Sequence, residues 1–360
     1  MRYIGNKTKL LPFLRKTIAK LGIPTGVVHD AFAGTAAVGR ALKADGWSVH
    51  SSDLMTYSYV MQRAYVVASQ TESFDALGSA IPELRDAFAH NGLARLELVA
   101  QYLSSGIVPH NGFFAQNFGA AGGRMYFTDE NAQRIDAARQ TLHAWHRGGL
   151  VSDDAFFVLL AGIIEGADRV ANTAGVYAAF IKRWQPNAVR PFSLAAEIPV
   201  ASPRASMAHQ ADAVSVAKSL AEVELIYIDP PYNTRQYAGY YHVPELIARG
   251  WFDSEVALRG KTGLISDSSQ RSAWCSRTKA PHALRELLQA TSATHALVSY
   301  NSEGVISNGQ LRAILGDASV DGKVRRFEKR YKRYRADSDR EGRRYKGDVV
   351  KELLYYARLR

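Results

Sequence analysis

The run Leu225-Ile226-Tyr227-Ile228 stops at Asp229-Pro230-Pro231-Tyr232, and this junction constrains the fold more than any other stretch. β-Branched and aromatic residues in a short apolar run suit a buried strand. Two consecutive prolines cannot donate to a sheet ladder, so the strand has to end there. Asp229 is thereby set at the carboxyl end of a central strand, the edge at which open α/β sheets receive ligands. Asp and Pro are also ordinary turn residues, so Asp-Pro-Pro alone allows a plain turn. The full pattern of apolar run, acid, two prolines and tyrosine is more specific.

A second junction of this kind lies near the amino terminus. Gly26-Val27-Val28-His29-Asp30 reads as a strand. It leads through Ala31-Phe32-Ala33-Gly34-Thr35-Ala36 into a helix carrying Val38, Ala41 and Leu42. Strand, small-residue turn and helix bring the backbone close to a nucleotide-like ligand. Gly34 can take positive φ and admits close approach. The dinucleotide fingerprint GxGxxG is absent. Residues 47–53 form the next strand and end in Asp53, about 20 residues past the loop, where an acid can accept hydrogen bonds from ribose hydroxyls. Asp53 as a helix cap is the alternative, and the agreement of position with the loop favours ribose.

These residues carry a resemblance. The apolar run with Asp-Pro-Pro-Tyr resembles the catalytic motif of amino-methyltransferases that act on DNA bases, and its Asp form points to adenine N6. The loop D-x-F-x-G-x-x-x-V-G resembles the cofactor loop of the same enzymes. With the opening Arg2-Tyr3-Ile4-Gly5-Asn6-Lys7-Thr8, the chain is similar to Dam-like (alpha-group) adenine-N6 methyltransferases of bacterial restriction–modification systems, above all those accompanying type IIS enzymes. The resemblance covers most of the chain. It implies S-adenosylmethionine as cofactor, bound by Tyr3, Gly5, Lys7, Asp30, Phe32, Gly34, Asp53 and Asp212. Tyr3, Gly5 and Lys7 would flank its methionine end. Asp212 would receive the amino group of its adenine, although it also suits the cap of a helix at 214–221.

The implied chemistry explains the motif. The adenine amine is a poor nucleophile because its lone pair is delocalised into the ring. Two acceptors on its hydrogens, the Asp229 carboxylate and the Pro230 carbonyl, favour a pyramidal nitrogen with its lone pair directed outward. Proline fixes φ, so that carbonyl is preorganised. Tyr232 would stack on the flipped base, a contact typically worth ~1–3 kcal/mol. No metal is needed. Cytosine N4 as target, and a DNA-binding module with a dead cofactor site, are the alternatives; Asp rather than Ser before Pro-Pro argues against the first.

Strand–helix alternation lapses between about 72 and 200. Helices are expected at 83–103, 130–146 and 153–170, with a mobile, Gly/Asn-rich surface loop at 111–127. Residues 72–200 are read as an inserted target-recognition region within a catalytic domain of 1–71 and 201–360. Arg124 and Lys182 are its candidate DNA contacts, because such side chains meet phosphates and base edges. Arg235, just after the motif, and Lys261, in a polar loop at 259–277, are further candidates.

Strands are expected at 295–301, 324–334 and 349–357. Between residues 323 and 346 the only acids are Glu328, Asp337, Asp339 and Glu341, set among many Lys and Arg residues. Interleaved Phe327, Tyr331 and Tyr334 give this run a packed face. It reads as a phosphate-gripping hairpin, with Arg330, Arg333 and Arg344 as contacts. It accounts for most of the formal net charge of +11 in the 360-residue chain, which suits a polyanionic partner. Double-stranded DNA is the implied partner, and a cognate restriction endonuclease is implied beside it. The single cysteine, Cys275, excludes an internal disulfide and a Cys-based metal cluster. Together with the lack of a long apolar run or an h-region, this points to the bacterial cytoplasm and no membrane. The expected fold is an α/β, Rossmann-like methyltransferase with a seven-stranded mixed sheet and an inserted, mainly helical region.

Overall fold

The computed structural model describes every residue except 71, 254, 266–267, 302–303 and 333–348. The described chain divides into two compact units. The first comprises Ile4–Gln62, Ser202–Gln236 and Ser269–Arg360; the second comprises Met1–Tyr3, Arg63–Ala201 and Tyr237–Ser268. In chain order the strands are β1 (Val27–Asp30), β2 (Ser48–Asp53), β3 (Met207–Gln210), β4 (Leu225–Ile228), β5 (Leu258–Arg259), β6 (Leu264–Ile265), β7 (His295–Asn301), β8 (Arg325–Lys332) and β9 (Val349–Arg358).

The first unit is built on a seven-stranded sheet in the order β3-β2-β1-β4-β7-β9-β8. Strands β1, β2, β3, β4 and β7 are parallel to their neighbours among themselves. Strand β9 is antiparallel to both β7 and β8. From β1 the chain builds outward through β2 to β3, then returns to β4 on the other side and builds outward again. The strand order therefore reverses between β1 and β4, where open sheets leave a crevice at their carboxyl ends.

Period-two alternation gives the sheet two apolar faces. Ile226, Ile228, Ala296, Val298, Leu353 and Tyr355 belong to one cluster with the buried residues of helices Ala280–Ala290 and Asn308–Ala318. Tyr227, Ser299 and Glu352 line a small cavity with Leu10, Phe13 and Leu14, at the start of helix Leu11–Leu21. That helix carries Pro12 in its first turn and ends at Gly22, whose φ of 66° is the left-handed stop glycine supplies.

In the second unit, helices Asp129–Arg147 and Asp153–Val170 begin on Thr128 and Ser152, whose hydroxyls accept from the N–H groups of Asn131 and Ala155. Gly162 and Gly166 lie one turn apart and admit the segment 192–196 against the helix; Ala195 N–H donates to the Gly162 carbonyl at 3.1 Å. The helix expected at 83–103 is divided into Pro82–His90, Arg95–Gln101 and a π-helical turn at Tyr102–Gly106. Asn91 is extended and ends the first piece. Residues 111–127 differ most from expectation. They hold helix Phe113–Phe118 and bury Phe114, Phe118, Tyr126 and Phe127 completely. The apolar area of four aromatic rings outweighs the local turn signals. The expected loop at 259–277 is likewise structured in part: β5 and β6 pair antiparallel, with Gly260 and Gly263 at positive φ between them. Among the described residues no helix is long and apolar enough to cross a membrane.

Two measurements test this account. A Cβ at Gly166 would stand 2.4 Å from the Ser193 carbonyl oxygen. Gly166→Ala should therefore destabilise the protein by about 2 kcal/mol, read as a lowered urea midpoint; an unchanged midpoint means the segment yields freely. His29 is buried on β1, with Nε2 3.0 Å from Ser52 Oγ. Burial first, then neighbouring His209 and His50, pull its pKa from 6.5 to about 3. The folded chain keeps it neutral while the unfolded chain takes a proton, so stability falls as pH drops from 6.5 towards about 3. Between about pH 7 and 4.5, His29→Gln should lose about 2 kcal/mol less stability than the unmodified chain; equal losses would rule His29 out as the source.

Candidate active site

Asp30 is the last residue of β1 and Asp229 the first beyond β4, and the two strands are neighbours. Each strand stops for a local reason. Ala31 N–H still donates to Tyr227 O at 3.0 Å, after which the chain turns through Ala33 and Gly34; β4 ends at the two prolines. The Asp30 carboxylate is 1% exposed, and neither oxygen has a hydrogen-bond partner. The Gly39 N–H points towards it without closing a bond. Burial first, and the charge of Asp229 next, push its pKa up to about 7.

Asp229 is treated differently. Its side chain is 13% exposed, and Lys7 Nζ lies 3.2 Å from its Oδ1. The Tyr232 hydroxyl donates to the same oxygen and accepts from Lys7. Burial raises the pKa of Asp229, while the charge of Lys7 and the bonds from Tyr232 and Lys7 act in the opposite direction. Lys7 Nζ also lies 3.5 Å from Glu352 Oε2 and 4.7 Å from the centre of the Tyr232 ring. The Tyr232 ring meets Tyr300 edge-on at 5.3 Å.

The loop after β1 is held from several sides. Ala33 N–H donates to Ser52 O at 3.0 Å. Gly34, at φ 52°, donates its N–H to Asp53 Oδ2 at 3.0 Å, and Met55 N–H reaches Asp53 Oδ1 at 3.0 Å. Asp53 thus ties the turn to the end of β2. Phe32 is half-buried, with its ring 4.8 Å from Trp274 in an edge-on contact. Asp212 is exposed and caps helix Ala213–Ser219 through a 2.9 Å bond from Val214 N–H. Gly5 takes φ 84° ahead of Lys7.

Of the expected site residues, the first unit brings together Lys7, Asp30, Asp229 and Tyr232 at one end of the sheet, with Gly34 on the adjoining loop and Asp53 at the end of β2. Tyr3 belongs to the second unit, its ring 4.7 Å from Tyr241 and 5.6 Å from Tyr237. Among the expected DNA contacts, Arg124 donates to the carbonyls of Asn117 and Gly260 at 3.0 and 3.4 Å. Lys182 and Lys261 are exposed in the second unit, and Arg235 is exposed in the first. Arg330 is placed on β8 by its backbone. Arg333 and Arg344 lie outside the described residues.

Three participants escaped the sequence reading. Glu352 reaches Lys7 from β9. Trp274 backs Phe32. Gln236 exchanges two hydrogen bonds with the Ser272 backbone, at 2.8 and 3.1 Å, and so fixes the chain that leaves the Asp-Pro-Pro-Tyr turn. Only Glu352 left a trace, as an acid between apolar strand residues.

Comparison with known proteins agrees with this geometry. The pattern of the D12 class N6 adenine-specific DNA methyltransferase family matches residues 3–314. Type II methyltransferase M.NlaIII of Neisseria lactamica is 32% identical over 99% of this chain and 98% of its own length. Type II methyltransferase M.FokI of Planomicrobium okeanokoites is 31% identical over 99% of this chain but 52% of its own length. Modification methylase StsI of Streptococcus sanguinis is 30% identical over 99% of this chain and 51% of its own length. The chain therefore spans about half of these last two relatives and nearly all of the first. The family match specifies adenine N6, where the motif alone kept cytosine N4 as an alternative. With a match across most of its length, a mixed seven-stranded sheet and acids at the reversal of strand order, the chain belongs to the D12 class N6 adenine-specific DNA methyltransferases.

Proposed function

We propose that the chain methylates N6 of an adenine turned out of double-stranded DNA with S-adenosylmethionine as donor, using Asp229 and the Pro230 carbonyl as acceptors for the amine hydrogens. The observation that carries this reading is the contrast between two neighbouring acids. Asp30 is buried without a partner, whereas Asp229 is supported as an anion by Lys7 and Tyr232.

The residues fit the cofactor. A buried carboxylate lacking a partner suits a ligand ammonium group. Asp53 is a carboxylate at the end of the strand next to the turn, the place of a ribose acceptor, Phe32 offers part of a ring face, and the exposed Asp212 can receive an adenine amino group. When bound, S-adenosylmethionine supplies an electrophilic methyl group. Asp229 and Pro230 withdraw the amine's hydrogens from the ring plane and so expose its lone pair. Tyr232 orients Asp229 through its hydroxyl, and its ring is the candidate stacking surface for the base. Of Tyr3, Gly5 and Lys7, we assign Lys7 to the acceptor carboxylate on the strength of its contacts.

Residues 72–200, or the larger second unit that contains them, are proposed to select the DNA sequence, with Lys182 and Lys261 as exposed phosphate contacts and Arg124 shaping the turn that carries Lys261. Arg235 and the β8 residue Arg330 would grip phosphates from the first unit; Arg333 and Arg344, outside the described residues, are proposed as further contacts from the basic run alone. The relatives' names, type II methyltransferase and modification methylase, support a modification role; a cognate restriction endonuclease and a bacterial cytoplasm complete the proposed reading.

Purified protein with methyl-labelled cofactor and DNA should yield N6-methyladenine on nucleoside analysis. Asp229→Ala should reduce the rate by at least ~10²-fold while cofactor still binds; an active variant removes Asp229 from the chemistry. Asp30 gives a second test. Its pKa is about 7 when folded against 3.8 in water, so the folded state holds a proton that the unfolded state releases across that window. The cost of Asp30 therefore grows as pH rises from 3.8 to about 7 and is complete above it. Asp30→Asn should stabilise the ligand-free protein by on the order of 4 kcal/mol at about pH 8 and weaken cofactor binding by at least ~30-fold. Melting curves and calorimetric titration read both effects, and a variant that is no more stable and binds normally contradicts the assignment.

A further inference from the structure

Glu352 lies in β9 between two paired strands, in register with Asn301 of β7 and Lys329 of β8. Its side chain is 12% exposed and faces Lys7. The cavity beside it, lined by Lys7, Tyr227, Ser299 and Glu352 with Leu10 and Leu14, has a volume of about 10 Å³. That is room for about one water at most. The Lys7 ammonium is buried and has no hydration shell to fall back on, so its charge has to be met by carboxylates.

We propose that Glu352 is a positioning residue for methyl transfer: it is the second anchor of Lys7 and lets the ammonium move off Asp229 when the amine of the target base arrives. This rests on the reading of Asp229 as the amine's acceptor. Asp229 Oδ1 already takes Lys7 at 3.2 Å and the Tyr232 hydroxyl. An incoming N–H has to compete with both. Were Asp229 the sole counter-charge, release of Lys7 would leave a buried ammonium unpaired, which is strongly unfavourable. Glu352 Oε2 stands at 3.5 Å from Nζ, so a small displacement shortens one ion pair as it lengthens the other.

The charged and titratable groups facing Glu352 are Lys7, Asp229, Tyr227 and Tyr232, with Lys329 across the strand pair. Burial first, and then the charge of Asp229, disfavour ionisation of Glu352, against the pull of Lys7. Removing Glu352 has two consequences. Lys7 settles on Asp229 and obstructs the amine. With Lys7 no longer shared, its charge also makes Asp229 ionise at lower pH.

The test is the pH profile of adenine methylation by Glu352→Gln, an isosteric change. The plateau kcat should fall roughly tenfold and the acid limb should move down by about half a pH unit or more, with KM for DNA unchanged. A purely structural Glu352 would lower the rate without moving the limb, so a superimposable profile overturns the proposal. Glu352→Asp keeps the charge but withdraws it from Lys7. It should show a lowered plateau with less displacement of the limb, and it decides the matter alone if the Gln variant does not fold; an Asp variant with the original plateau overturns the role. Inactivity of the unmodified chain on any DNA would overturn the acceptor reading together with this inference, whereas normal activity with an unmoved limb overturns the inference alone.

Discussion

The Lys7 ammonium, held between Asp229 and Glu352 beneath the Tyr232 hydroxyl, is the interaction on which the site depends. Burial pushes the pKa of Asp30, Asp229 and Glu352 upward in each case. A protonated carboxyl has lost part of its accepting capacity, so an amine acceptor in such a place needs a nearby cation. Lys7 supplies one cation for Asp229 and Glu352 and leaves Asp30 uncompensated. The imbalance is what a site for a positively charged ligand requires. On the proposed reading it also divides the labour between two acids: Asp229 is held for the amine and Asp30 for the cofactor's ammonium group.

The sheet creates this arrangement through register. The parallel strands β1 and β4 bring Asp30 and Asp229 to the same end of the sheet, Asp30 opposite Tyr227 and Asp229 two residues further along, where the strand order reverses. Insertion of β9 antiparallel between β7 and β8 sets Glu352 opposite Asn301, near the same end of the sheet. Its neighbours Leu353 and Tyr355 join the apolar cluster below. A one-residue slip of β9 would exchange Glu352 for Leu353 and put a carboxylate into that cluster. Packing therefore enforces the placement of Glu352, even though the residue itself adds nothing apolar.

Much of the first unit was legible because its signals are local. Prolines end β4 wherever they stand, Gly34 marks the turn, and acids at strand ends reveal themselves by position. The terminal hairpin was visible from aromatics spaced through a basic run, and β8 with β9 has that form over its described residues. What stayed hidden depends on contacts distant in sequence. Lys7 and Glu352 are separated by 345 positions, and no local rule relates them. Arg124 carried the composition of a DNA contact, yet part of its guanidinium serves two backbone carbonyls. The aromatics at 111–127 sit among Gly and Asn residues that announce a surface loop, but buried ring area decides where they go. The segment Tyr237–Ser268 follows the catalytic motif in sequence and packs in the other unit, a choice made by partners such as Arg139, which donates to Ile247 O at 2.8 Å.

The electrostatics of the ligand-free chain bear on regulation of the chemistry by occupancy. Asp30 has a pKa near neutrality only because it is buried and stands near Asp229. Any cation that neutralises Asp30 removes a like charge from the neighbourhood of Asp229 and lowers the cost of ionising it. If that cation is the cofactor's ammonium group, as proposed, cofactor and acceptor are coupled through charge. By reciprocity, an amine that favours the charged form of Asp229 stabilises a cation at Asp30. With donor at Asp30 and base at Asp229, as proposed, cooperative binding would follow from two acids set on adjacent strands, its strength governed by how much of the charge of Asp229 Lys7 has already cancelled.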